Sequence, residues 1–266
     1  MNTKLQFWVV ALVVAIFSVQ CSPNNGGGPE FPTSIESEFS AGRFALNGVE
    51  LNYQESKYLS GSDSAPLVVV LHGASGSGSD NKQQLRHDAM IRIWHYFHSN
   101  NIKAKLLIPQ CPTSRTWDEL PADVSGINMS QCLKALIDKY VSDNHIVDRS
   151  RIYILGFSTN SAPAGGGGVW RLLSDYTDLF AGGMSVAADP DESIVAANVA
   201  KTPVLSIKNV TDAYAVSLAL GSFSEEVVDA GGTILEIPMS AATREELCRE
   251  AFSKSNLDWV LQHTKQ

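Results

Sequence analysis

Ser158 has the strongest claim to chemistry in this chain. It stands in Arg151-Ile152-Tyr153-Ile154-Leu155-Gly156-Phe157-Ser158-Thr159-Asn160, where an apolar run rich in β-formers ends at a glycine and a serine follows two residues later. The pattern predicts a buried strand feeding a sharp turn that lifts one hydroxyl above a sheet, where a base and an acyl carbon can both reach it. Acyl transfer is the chemistry that such a serine would serve. The motif G-x-S-x-G closes on a glycine, however, and Asn160 takes that place here. Two further groups could join the serine. His72-Gly73-Ala74 ends another apolar run, and Asp212 lies five residues beyond Pro203-Val204-Leu205-Ser206-Ile207.

These residues need a frame. Phe44-Ala45-Leu46 and Val49-Glu50-Leu51-Asn52-Tyr53 flank Asn47-Gly48, a strong hairpin signal. Pro66–Leu71, Ala104–Pro109, Arg151–Leu155, Phe180–Ala187, Pro203–Ile207 and Thr233–Ile237 read as strands, mostly continuous apolar runs of the buried kind. Between and after them, Asp80–Ser99, Ser130–Val141, Phe223–Ala230 and Asn256–His263 read as helices. Strands alternating with helices imply a doubly wound, mostly parallel α/β sheet with helices on both faces. In such sheets, sites form at the carboxyl ends of the strands, and each motif above falls at such an end.

Several pieces in order resemble one family. Ala65-Pro66-Leu67-Val68-Val69-Val70-Leu71-His72-Gly73-Ala74 followed by Gly78-Ser79-Asp80-Asn81 looks like an α/β-hydrolase, in particular the bacterial carboxylesterase and phospholipase-like branch near the dienelactone hydrolases and polyhydroxybutyrate depolymerases. Ile108-Pro109-Gln110-Cys111-Pro112 with Trp117, Asp148-Arg149-Ser150-Arg151-Ile152-Tyr153 and Tyr176-Thr177-Asp178-Leu179-Phe180-Ala181 resemble later segments of that branch. The resemblance spans roughly Gly61 to Leu261. It implies carboxylic-ester hydrolysis with Ser158 as nucleophile and Asp212 as the acid that orients an imidazolium. The oxyanion hole would use the backbone N–H groups of Thr159 and Ala74, aimed at the developing negative charge. No cofactor or metal is implied.

The pattern breaks where the triad histidine should follow the last strand. Pro238 to Glu246 holds no histidine, and the only one after Asp212 is His263. Even ~12 residues of helix at about 1.5 Å each would put it roughly 18 Å away. His72 lies at the correct end and is the candidate surrogate base; His87, His95, His98 and His145 fit surface or helix positions. The elbow is also rebuilt, because Ser161-Ala162-Pro163-Ala164-Gly165-Gly166-Gly167-Gly168 replaces a compact helix start. Each glycine inside a helix costs up to about 1 kcal/mol relative to alanine. The expectation is therefore a flexible loop with the helix beginning near Val169. Loss of a triad member costs on the order of 10⁴ in rate. Two functions follow: an ester hydrolase of impaired activity, or an inactive pseudo-hydrolase kept as an envelope binding or accessory protein. A domain that only presents surface to other envelope proteins is a third.

The address is read from the start of the chain. Lys4 precedes an apolar stretch from Leu5 to Phe17, then Ser18-Val19-Gln20-Cys21, so residues 1–20 read as a secretory signal. Cys21 is the candidate lipidation site, with simple secretion as the alternative. Residues 21–40, with Asn24-Asn25-Gly26-Gly27-Gly28-Pro29, read as a tether and 41–266 as the hydrolase-like domain. The expected location is the bacterial cell envelope, on the periplasmic or outer-membrane face. Removing the signal, whose only charge is Lys4, takes the net charge of −8 to −8 − 1 = −9. An acidic chain without a basic run argues against nucleic acid as a partner. The expected partners are a membrane, through the lipid, and a small-molecule or polymer ester such as an acylated glycan. Cys111, Cys132 and Cys248 allow one disulfide at most, or three separate buried thiols.

Overall fold

The computed structural model describes residues 34–57, 64–119, 126–157, 164–209, 219–240 and 243–265. These all fall in one compact unit, Phe31–Gln266. Among the described residues, a short 3₁₀ turn at Glu36–Glu38 comes first. The strands are β1 (Phe39–Leu46), β2 (Val49–Ser56), β3 (Ala65–Leu71), β4 (Lys105–Gln110), β5 (Val147–Phe157), β6 (Gly182–Val186), β7 (Val204–Asn209) and β8 (Ile234–Met239). The helices are α1 (Asp88–Ser99), α2 (Met129–Asp143), α3 (Gly165–Asp175), α4 (Ala196–Val199), α5 (Ala219–Asp229), α6 (Arg244–Ala251) and α7 (Lys254–Leu261).

All eight strands form one sheet in the order β1-β2-β4-β3-β5-β6-β7-β8. β2 pairs antiparallel with both β1 and β4, and every pairing from β4 through β8 is parallel. The hairpin turns where expected: Leu46 faces Val49, and Asn47 and Gly48 both have positive φ, 46° and 85°. That backbone matches the twist of the flanking strands. β3 shows why central strands are apolar throughout. Val68 and Val70 pack on one side with Ile93, Phe97, Leu257 and Val260 of α1 and α7. Leu67, Val69 and Leu71 pack on the other with Leu133, Ile137, Trp170 and Leu173 of α2 and α3. The sheet is therefore covered on both faces, as doubly wound sheets require.

α1 and α3 both start elsewhere than expected. α3 starts at Gly165 rather than near Val169, and all four of its glycines are buried. The sites are too tight for side chains. A Cβ on Gly165 would lie 2.3 Å from the Leu71 carbonyl oxygen and 2.7 Å from that of Phe157. On Gly166 it would lie 2.6 Å from Ala188 Cβ, and on Gly168 2.5 Å from Trp117 Cβ. The packing gained by seating the helix against the sheet outweighs the propensity cost that argued for a loop. α6 begins at Arg244, inside Pro238 to Glu246, the stretch after the last strand where a triad histidine should stand. Thr243 caps it, its hydroxyl accepting the Glu246 N–H at 3.1 Å.

Candidate active site

The carboxyl ends of β3, β5, β6 and β7 form one edge. β5 and β6 align Phe157 with Val186, and β6 and β7 align Val186 with Ile207. Ser158 follows β5 directly in the chain. Ser158, Thr159, Asp212 and Cys21 lie outside the described residues, so the candidate nucleophile, acid, one oxyanion donor and the lipidation site are placed by sequence alone. Ala74 and His72 are described.

After β3 the chain makes a 3₁₀ turn at Ala74–Gly76. Its hydrogen bonds run from the N–H groups of Gly76 and Ser77 to the carbonyls of Gly73 and Ala74, at 3.0 and 3.2 Å. The N–H of Ala74 thus sits at the open first turn, where helical N–H groups have no intrahelical acceptor. The loop is fastened from below. Gln110, at the end of β4, donates to the Gly76 carbonyl at 3.2 Å and to Asp80 at 2.7 Å, and accepts the Asn81 N–H at 2.7 Å. Residues 78–82 are committed to this network, which explains why α1 starts at Asp88 and not near Asp80.

His72 is fully buried, and both ring nitrogens are engaged. Nδ1 lies 2.6 Å from the Gly73 carbonyl oxygen, to which it donates. Nε2 accepts the Cys111 N–H at 2.9 Å. Burial holds its pKa down at about 4. Trp117 stacks edge-on at 5.2 Å and donates its indole N–H to the His72 carbonyl at 2.9 Å. His72 is therefore a neutral cross-link between β3 and the segment after β4, with no nitrogen lone pair left for the surrogate-base role considered for it.

The other five histidines complete the account, since all six lie in described residues. His263 is at the wrong end of the sheet. Its carbonyl accepts the Tyr153 hydroxyl at 2.6 Å, and the Lys265 N–H donates to Ser150. Ser150 is seven residues before Phe157 along β5, about 23 Å at ~3.3 Å per residue. His145 precedes β5 at that same end, and His95 and His98 occupy the later turns of α1. Sequence spacing gave no sign of what His87 does. It caps α1, with Nδ1 accepting the Ala89 N–H at 3.1 Å, and its ring lies 4.4 Å from that of Phe157, the residue before Ser158. Proximity in the fold, not spacing in the chain, brings it to the site.

The glycine start of α3 takes over the task of the missing elbow glycine. A Cβ on Gly156 would lie 2.2 Å from the Gly165 carbonyl oxygen, so strand and helix touch backbone to backbone. The ends of the segment between Phe157 and Gly165 are thereby drawn close. Cys111, Cys132 and Cys248 are all buried. Burial raises the Cys132 thiol to about 11, which removes it as a nucleophile at neutral pH.

No family model matches the chain, and no curated protein matches it. Solved structures do. A thermostable esterase superposes with a TM-score of 0.71 at 22% identity, covering 87% of this chain and 64% of its own. Est1E from Butyrivibrio proteoclasticus gives 0.56 at 14%, covering 82% of this chain and 98% of its own. A dienelactone hydrolase from Klebsiella pneumoniae, described as putative, gives 0.56 at 13%, covering 84% and 98%. The chain thus spans less than two thirds of the thermostable esterase's length. Sheet order, covering helices and these likenesses define the α/β-hydrolase fold, with esterases and a dienelactone hydrolase among its neighbours, as the resemblance implied.

Proposed function

We propose that this chain binds carboxylic esters at the carboxyl edge of the sheet and hydrolyses them poorly. The supporting observation is His72, the histidine at the end of β3: both its ring nitrogens are committed, Nδ1 to the Gly73 carbonyl and Nε2 to the Cys111 N–H. Ser158 is the nucleophile in this reading, and Asp212 the acid. Ala74 and Thr159 give the N–H groups that stabilise the oxyanion, an interaction that backbone donors retain when side chains change. Without an imidazole base, the serine hydroxyl keeps its proton and attack is slow. Turnover falls on the order of 10⁴ below an intact triad, the remaining rate coming from the oxyanion hole and binding. Cys21 carries a lipid that holds the domain in the cell envelope.

The test is labelling of the full-length protein with a fluorophosphonate probe, beside p-nitrophenyl ester hydrolysis, each against Ser158→Ala. Slow, serine-dependent labelling with weak turnover is expected. Absence of any Ser158-dependent labelling would favour a second reading, an inactive binding protein, which the commitment of both His72 nitrogens also supports. Loss of radiolabelled palmitate incorporation in Cys21→Ser tests the anchor.

A further inference from the structure

The turn that carries the Ala74 N–H hangs from two side chains, His72 and Gln110. At its start, the Gly73 carbonyl oxygen accepts from His72 Nδ1 at 2.6 Å and from the Gly76 N–H at 3.0 Å. The Gly73–Ala74 peptide is planar, so its N–H points opposite to its carbonyl. Fixing that oxygen therefore sets a direction for the Ala74 N–H. A short turn fixed at one oxygen is still free to pivot about it. The Gly76 carbonyl, at the far end of the turn, accepts from Gln110 Nε2 at 3.2 Å, and this second point stops the pivot.

Gln110 is itself rigidly placed. It is 1% exposed at the end of β4, and both polar atoms of its amide are used. Beyond Gly76, Nε2 donates to Asp80 Oδ1 at 2.7 Å, and Oε1 accepts the Asn81 N–H at 2.7 Å. Asn81 has φ of 55°, a left-handed conformation that asparagine adopts more readily than most residues. Three further segments hold it there. Its carbonyl accepts from Gln54 of β2, its Oδ1 accepts from Gln84 at 2.7 Å, and its Nδ2 donates to the Gly42 carbonyl of β1 at 3.1 Å. Asn81 is thus a fixed post, and the Gln110 amide spans from that post to Gly76. Residues 77–82 lie in neither helix nor strand, so this bridge takes the place of a backbone ladder.

An oxyanion donor works only when it lies about 2.7–3.1 Å from where the oxygen charge develops. A misplacement of about 1 Å costs on the order of 10²-fold in rate. We propose that Gln110 is a positioning residue for the oxyanion donor: it touches no substrate, and by holding Gly76 it keeps the Ala74 N–H in aim. The inference rests on the proposed function, in which that N–H stabilises the oxyanion.

The test compares the full-length wild type with Gln110→Met and Gln110→Glu, each checked for folding by far-UV circular dichroism. Methionine keeps the volume and removes the bonds to Gly76, Asp80 and Asn81. Glutamate keeps the acceptor for Asn81 but has no hydrogen for Gly76 until its carboxyl is protonated. In fluorophosphonate labelling, the half-saturating probe concentration should hold in both variants, while the rate at saturation falls at least tenfold in Gln110→Met. In Gln110→Glu, that rate relative to wild type should be low at about pH 8 and recover toward about pH 5, as the buried carboxyl takes up a proton. A purely structural role would move folding stability and leave the saturating rate alone, so equal rates in folded Gln110→Met overturn the inference. The Ala74 amide signal in heteronuclear NMR, identified by its loss in Ala74→Ser, reads the same aim without any chemistry. It should shift in Gln110→Met, and an unmoved signal also overturns the inference. A wild type that is never labelled at Ser158 sinks the proposed function, and a shifted Ala74 signal then still leaves Gln110 as the group that aims this N–H.

Discussion

Two strand-to-helix junctions lie side by side at the carboxyl edge, one from β3 to α1 and one from β5 to α3. The first is held by polar bonds: the His72 ring, the Trp117 indole, and the Gln110 amide reaching Gly76, Asp80 and Asn81. The second is held by the lack of side chains, with Gly156 and Gly165 letting helix and strand meet backbone to backbone and Gly166–Gly168 closing on Ala188, Asp118 and Trp117. A polar junction can lose one bond and keep its shape, since each net hydrogen bond contributes about 1 kcal/mol. A steric junction has no such margin, because an added methyl group meets atoms that belong to the sheet itself.

The largest effect should therefore come from the glycine junction. Gly165→Val places atoms within 2.3–2.8 Å of the Leu71, Phe157 and His72 carbonyl oxygens. It should cost about 3 kcal/mol or more in urea unfolding, and a cost below about 1 kcal/mol would remove the contrast between the junctions.

His72 comes next, and it couples stability to pH. Its folded pKa of about 4 lies below the ordinary 6.5. The unfolded chain takes up the proton first, so stability is complete above about 6.5 and falls as pH drops toward 4. The full fall is about 3 kcal/mol, since each tenfold change in proton affinity is worth about 1.36 kcal/mol. Urea midpoints across that window should show the fall in the wild type and a flatter profile in His72→Gln.

Trp117→Phe removes the donor to the His72 carbonyl but keeps most of the packing. It should cost about 1–2 kcal/mol, measured by thermal unfolding. A loss as large as that of Gly165→Val would mean that the polar junction is no more tolerant than the steric one.

The smallest effect is at the α1 cap. His87→Ala should cost about 1 kcal/mol and His87→Asn much less, because asparagine also accepts an N-terminal helix N–H. If ester turnover falls in His87→Asn while stability holds, the ring beside Phe157 acts on the reaction as well as on the helix.

The fold was legible because it rests on long patterns. Continuous apolar runs marked β3, β4 and β5, and Asn47-Gly48 marked the hairpin, each within a residue or a few of its observed bounds. The start of α3 was not legible. Glycine propensity argues for a loop, and only the distances to Leu71, Phe157 and Trp117 reveal why the helix needs glycines. Residues 80–85 misled for a similar reason, since Asp80 and Asn81 bond Gln110 and residues 83–85 form only a 3₁₀ turn. At the site, the edge and its β3 turn were readable from motif spacing. The roles of His72 and His87 were not, because a ring's hydrogen-bond partners come from segments distant in sequence, here Cys111 for His72.

The bonds that tie Tyr153 to His263 and Ser150 to Lys265 hold residues 263–265 at the amino edge of β5. That edge is about 23 Å along the strand from Phe157. A fluorophore, affinity handle or surface-immobilisation linker attached to the Lys265 side chain would leave the opposite rim open to solution. The protein can be mounted on a sensor by the amino edge with the carboxyl edge outward.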